Sequence, residues 1–197
     1  DMFPAGLRQA VFTRQGGVSP APWASLNVGG TVGDDASRVR ENRVRSFAAL
    51  GLSLDSLFDV WQVHSADAAF ARAPRLQGAD YQKADIIFTD RPEVTLYMRF
   101  ADCVPILLYD PRRVVIGLAH AGWLGTVRGA AAAAIQAMRG HYGSEPADIR
   151  AAIGPSIGPD HYEVGPEVVA QVQAALGADA SQLVEERDGR TYLDLWA

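Results

Sequence analysis

Three side chains that bind soft metals stand at comparable places in the chain. His64 closes WQVH, Cys103 sits between RFAD and VPILLYD, and His120 closes VVIGLAH. Each falls at the edge of an apolar run, next to small or polar residues, and the ends of neighbouring strands in a sheet converge in space. Two imidazoles and a thiolate make three ligands. Zinc takes four, so one position is left for water or substrate, which is the ligand count of a catalytic zinc and not of a closed structural one. The same residue types serve two other chemistries. Cys103 is a candidate thiolate nucleophile, with His120 or His64 as its base and Asp102 or Asp85 orienting the imidazole. Two histidines and a cysteine also describe a blue-copper centre, with Met98 as the nearest methionine for the weak axial position. A full multicopper oxidase is harder to build: the chain has 4 histidines, His64, His120, His141 and His161, too few for a histidine-rich copper cluster besides a blue site. The plain alternative is a pair of hydrogen-bonded core histidines and a small buried thiol.

Polar residues in turns are the next candidates. Arg14 lies in TRQGG, where backbone approaches a ligand closely. Asn27 in SLNVGG and Asn42 in RENR offer amides to substrate hydroxyls, although Asn is common in loops and caps. IGPSIGP exposes amides at Gly154, Ser156 and Gly158, the makings of an anion nest or of a simple tight turn. Gly29, Gly30 and Gly33 do not fit a dinucleotide-binding glycine pattern.

The elements that must position these residues are readable in outline. RQAVFTRQGGVS alternates and then reaches Gly16-Gly17, predicting a strand and turn. DDASRVRENRVRSFAALGL predicts a helix capped at Asp34, Asp35 or Ser37 and ended by Gly51, with Val39, Val44 and Phe47 near one face. SLFDVWQVHSADAAFAR predicts two short strands or one bent strand containing His64. ADIIFTD and VTLYMRFADCVPILLYD read as strands, the latter broken near Asp102-Cys103 and Pro105, and RRVVIGLAHAG as another. An alanine-rich helix is expected from near Thr126, then a strand in DIRAAIG, then a helix opened by Pro166 and closed by Gly177. Strands outnumber helices without regular alternation, so the expected class is α+β, a mixed α/β domain with helices packed outside mixed sheets.

Composition sets outer bounds. The 197 residues are 48% hydrophobic, enough for a sizeable core, and the net charge is −5. That disfavours a nucleic-acid binder held by a general basic surface. One cysteine allows no intrachain disulfide, no apolar run approaches a membrane span, and no secretion signal is visible. The cytoplasm is the expected location, with no membrane or nucleic-acid partner.

In order along the chain, FTRQGGVSPAPWASLNVGGTVGDD, ENR, WQVH, ADIIFTD, ADCVPILLYD, GLAHAGWLGT and IGPSIGPDHYEVG closely resemble the YfiH-type family, the laccase-domain proteins also called multicopper polyphenol oxidoreductases. The resemblance covers nearly the whole chain. It implies a single domain over residues 1–197, with mixed sheets in a β-sandwich-like core flanked by helices. It also implies a metal site formed by the histidine of QVH, the cysteine of ADC and the histidine of AHAGW, here His64, Cys103 and His120. Members are understood as zinc-containing purine nucleoside phosphorylases that split adenosine or inosine with phosphate, cleave methylthioadenosine and deaminate adenosine. The family name implies instead a Cu²⁺-dependent oxidation of phenols. On this basis Cys103, His120 and Asp102 are the expected catalytic group, Arg14, Asn27 and Trp123 the expected substrate contacts, and Zn²⁺ the expected ion, with copper the alternative. Two departures stand out. Leu124 replaces the arginine of the family's AHAGWRG, so Arg14 or Arg128 is expected to supply the missing cation. The family chain continues past DLWA, so a C-terminal segment is expected to be missing here.

Overall fold

Val115–Ala121 alternates between two apolar faces, and that alternation organises the molecule. The computed structural model describes residues 3–196. Its main sheet has five strands in the order β2-β3-β6-β5-β7, where β2 is Ala68–Phe70, β3 Ile86–Thr89, β5 Val104–Asp110, β6 Val115–Ala121 and β7 Arg150–Ile153. β2 and β3 run parallel and the other pairings are antiparallel, so the sheet is mixed. Successive side chains point to opposite faces. Val115 and Ala119 therefore share one face with Ile86, Phe88 and Leu108, against Ala134 and Met138 of the helix α3, Ala130–Tyr142. Ile87 and Leu118 share the other face, packing with Val60, Ala84, Met98 and Phe100. That second layer includes Phe58 and Leu96, from the short parallel pair β1, Leu57–Phe58, and β4, Thr95–Leu96.

The other elements stand around this frame. The helix α1, Ala36–Ala49, begins at Asp35, whose side chain accepts from the Ser37 amide, as the sequence predicts. Its buried residues Val39, Asn42, Ser46 and Phe47 follow the helical spacing of one face. The α-helix α4, Pro166–Leu176, the short helix α5, Ala180–Leu183, and the hairpin β8, Val184–Arg187, with β9, Arg190–Leu193, surround a third apolar cluster centred on Val168, Val172, Ala180 and Leu193. The outcome is a mixed α+β architecture of open sheets and a few helices. Among the described residues, no helix is long and apolar enough to cross a membrane.

Three expectations need correction. RQAVFTRQGGVS carries a strand's alternation, yet it joins no ladder among the described residues; Arg8 instead donates from Nη1 to the carbonyls of Leu50 and Gly51 at 3.0 and 2.9 Å. Alternation prepares a strand, but only a neighbouring strand completes one. The alanine-rich helix is also two pieces. α2 covers Trp123–Val127, and Gly129, with φ 71°, turns the chain into α3. Finally, His64 ends no strand: it sits in the connection between β1 and β2, with φ 57°.

Candidate metal centre

Strand register brings two of the three candidate ligands together. β5 and β6 pair with Pro105 opposite His120 and Val104 opposite Ala121. Cys103, just before β5, has the parity of Pro105 and Leu107, and His120 that of Leu118, so both belong to the face away from α3. Gly122 then lies beside Cys103. A Cβ built on Gly122 would fall 2.6 Å from Cys103 Sγ and 3.5 Å from His64 Cδ2. Only glycine leaves this space to the ligands. Pro105, which cannot donate to a ladder, lies just outside the β5–β7 pairing that begins at Ile106.

The third ligand comes from the β1–β2 connection. His64, Cys103 and His120 bring one ligand atom each to within 4.8 Å of one another. Zn–N and Zn–S distances of about 2.0–2.3 Å put the ligand atoms of one tetrahedral ion roughly 3.3–3.8 Å apart, so a small closure of these side chains seats a single ion. Two nitrogens and a sulfur suit zinc, and also copper. His120 is buried, Cys103 half-buried and His64 exposed, so the cluster opens on one side. That side is a cleft of about 1590 Å³, lined in part by Arg14, Phe100, Asp102, Trp123 and Tyr162.

Electrostatics tie the cluster to a buried acid. Asp85 precedes β3 and stands opposite His120 in the β3–β6 ladder, whose register pairs Ile86 with Ala119. The His120 amide donates to the Asp85 carbonyl at 2.8 Å, and His120 Nδ1 lies 2.8 Å from Asp85 Oδ1. Asp85 Oδ2 accepts from the amides of Val63 and Ser65 at 3.0 and 2.7 Å. Burial alone would raise the Asp85 pKa, but the bonds from His120, Ser65 and Val63 outweigh it and hold the carboxyl down at about 2. Burial likewise disfavours a charged His120, yet its bonds to Asp85 and Cys103 push its pKa up to about 9. The Tyr162 hydroxyl is also shifted upward, by burial and then by the neighbouring Cys103 and Asp102. Phe100 lies against the centre as well, its ring centroid 5.4 Å from that of His120.

The remaining sequence candidates divide. Asp102 is exposed beside Cys103, and its carbonyl accepts from the Ile157 amide at 3.0 Å. IGPSIGP thus braces the Cys103 loop, with a second bond from the Gly154 amide to the Pro105 carbonyl at 2.8 Å. Trp123 is half-buried between the cleft and the α4 cluster. Arg14 lines the cleft, with a long 3.4 Å contact to the Ala24 carbonyl. Asn27 lines it too, but its amide is tied to Gly29 and Asp34. Asn42 is buried and accepts from the Val18 amide at 2.8 Å, with its own amide near Ser19, the Ser25 carbonyl and the Asn27 carbonyl. It organises the N-terminal loops and is out of reach of a substrate. Arg128 Nη1 donates to the His64 carbonyl at 2.7 Å. Sequence reasoning passed over Phe100 and Tyr162, since neither stands in a pattern that marks chemistry; only the fold brings them to the cysteine and histidines.

Comparison with known proteins gives the chain its family. Residues 8–197 match the family described as multi-copper polyphenol oxidoreductase laccase. A purine nucleoside phosphorylase of Deinococcus radiodurans is 43% identical over 94% of this chain and 70% of its own length. Purine nucleoside phosphorylase YlmD of Geobacillus stearothermophilus is 40% identical over 97% of this chain and 72% of its own. The crystal structure of YlmD from that organism superposes with a TM-score of 0.84 at 36% identity, covering 92% of this chain and 70% of that one. The hypothetical protein YfiH of Bacillus licheniformis gives 0.81 at 34% identity, with the same shares covered. A family match over nearly the whole chain, relatives at this identity and a shared fold make the chain a member of the YfiH-type, laccase-domain family.

Proposed function

We propose that this chain is a zinc-dependent purine nucleoside phosphorylase, splitting adenosine or inosine with phosphate and accepting methylthioadenosine, with adenosine deamination as a side activity. The observation that carries the reading is the convergence of His64, Cys103 and His120 on one point at the margin of an open cleft. Three protein ligands leave a coordination position for a small molecule. The printed names of the relatives direct the choice of substrate.

His64, Cys103 and His120 would hold the ion. When bound, it supplies Lewis-acid polarisation and lowers the pKa of coordinated water. The chain's own residues do the rest. Phe100, Trp123 and Tyr162 give the cleft aromatic surface on which a purine stacks. Arg14 offers a cation to phosphate in place of the arginine that Leu124 replaces, since Arg128 is engaged by the His64 carbonyl. Asp102, exposed beside Cys103, would carry the proton. In phosphorolysis a phosphate oxygen forms a bond to the anomeric carbon of the ribose while the bond to the purine nitrogen breaks, and the purine leaves with a proton. Asn27 shapes the cleft wall through its bonds to Gly29 and Asp34.

Chromatography of adenosine incubated with zinc-loaded protein, with and without phosphate, tests this reading. Adenine that forms only with phosphate is expected, and His120→Ala should lose more than the roughly 10–100-fold that removing a supporting group near a metal costs. Inosine in both samples would reveal deamination. Neither product, together with phenol oxidation by the copper-loaded protein, would replace this reading with the oxidase.

A further inference from the structure

We infer that Asp85 is the positioning residue of the metal centre, a single buried carboxylate that holds both histidine ligands at once. The inference rests on the reading of His64, Cys103 and His120 as metal ligands. Its first arm is the ring of His120. A carboxylate only accepts, so the 2.8 Å contact from Nδ1 to Oδ1 keeps a proton on Nδ1 and makes Nε2 the nitrogen that would give up its proton to take an ion in the cluster. Its second arm reaches His64 without touching its side chain. Oδ2 gathers the amides of Val63 and Ser65, the two neighbours of His64. Two amides on either side of one residue point at the same oxygen because His64 adopts the left-handed conformation, φ 57°. That conformation costs a non-glycine residue about 1–2 kcal/mol, so something must hold it. Asp85 does so from inside, and Arg128 from outside through the His64 carbonyl.

Asp85 is 0% exposed, and its charge is met by three donors, one on Oδ1 and two on Oδ2. Its place is dictated by topology. The β3–β6 register sets it opposite His120, and the parallel pairing of β2 with β3 brings the connection before β2 alongside. The two histidines come from distant parts of the chain, and this carboxylate is hydrogen-bonded to the ring of one and to the backbone around the other. Metal ligands commonly depend on such outer partners for ring orientation.

Asp85→Asn separates this role from simple packing. It keeps the volume but offers one acceptor oxygen, so it cannot serve His120 and the two amides together. Zinc affinity, measured by competition with a chromogenic chelator, should fall about 10–100-fold. The thiolate and ligand-field bands of the Co²⁺-substituted protein should shift. Added to His120→Ala or His64→Ala, the same change should cost less than in the wild type, because Asp85 acts through those residues. Wild-type zinc affinity with an unchanged cobalt spectrum in Asp85→Asn would overturn the inference and leave the metal centre standing. A wild-type chain that takes up no zinc would overturn the metal centre and the inference with it. Should Asp85→Asn fail to fold, nitrogen NMR of the zinc-loaded wild type still decides. A proton on Nδ1 of His120 with zinc on Nε2 is expected; the reverse would overturn the inference.

Discussion

Gly122 shows how narrowly the centre is drawn at the scale of one residue. Its φ of −82° is open to any amino acid, so backbone conformation does not demand glycine there. The demand is steric, because an added Cβ would fall 2.6 Å from Cys103 Sγ. Gly122→Ala should therefore fold, with an unchanged far-ultraviolet circular dichroism spectrum, yet displace the thiolate. The expected result in chelator competition is a loss of zinc affinity of about 10–100-fold, comparable to loss of a supporting group. Asp85 makes the complementary case. The sequence leaves Asp85 and Asp102 as equal candidates to orient a histidine, and the β3–β6 register chooses Asp85.

At the scale of elements, β6 works as a two-sided strand. Its odd positions face α3 and its even positions lead to His120, so the strand that builds the core also delivers a candidate ligand. Gly117 marks the closest packing on the α3 side. It pairs with Phe88, and a Cβ there would lie 2.4 Å from that ring. Phe88 is fully buried and has little room to move. Gly117→Ala should therefore destabilise the fold by overpacking, by about 1–3 kcal/mol in urea denaturation. Because Gly117 projects away from the ligand face, this loss should be accompanied by little change in zinc affinity per folded molecule.

For the whole molecule, the proposed metal site would link ion binding to folding. The three candidate ligands come from the β1–β2 connection, the residue before β5 and the end of β6, so unfolding scatters them. An ion that binds only the folded chain stabilises it by about 2.7 kcal/mol at a free concentration 100 times its Kd. In a domain of this size each kcal/mol moves Tm by about 2–4 °C. Stripping the zinc-loaded protein with a chelator should lower Tm by about 5–10 °C by calorimetry, and His64→Ala should be nearly insensitive to the chelator. An equal shift in that variant would place the stabilising ion elsewhere.

By itself, the sequence singled out His64, Cys103 and His120 as candidate ligands, and it determined the family, the capped helix α1, and an α+β class with more strands than helices. These are matters of residue type and of local spacing: a cap acts over two residues, an apolar alternation over seven, and the three ligands are rare side chains next to distinctive neighbours. Tertiary structure decided what depends on partners far away in the chain. RQAVFTRQGGVS has the pattern of a strand but no ladder among the described residues, because pairing requires a neighbour the pattern cannot supply. Asn42 looks like a substrate contact in RENR, but the folding of the N-terminal loops around it consumes its amide. Asp85 became the shared support of two histidines only when cross-strand register set it opposite one and the parallel β2–β3 pairing brought up the loop of the other. Local physics chose the groups capable of chemistry, and long-range pairing decided which of them meet.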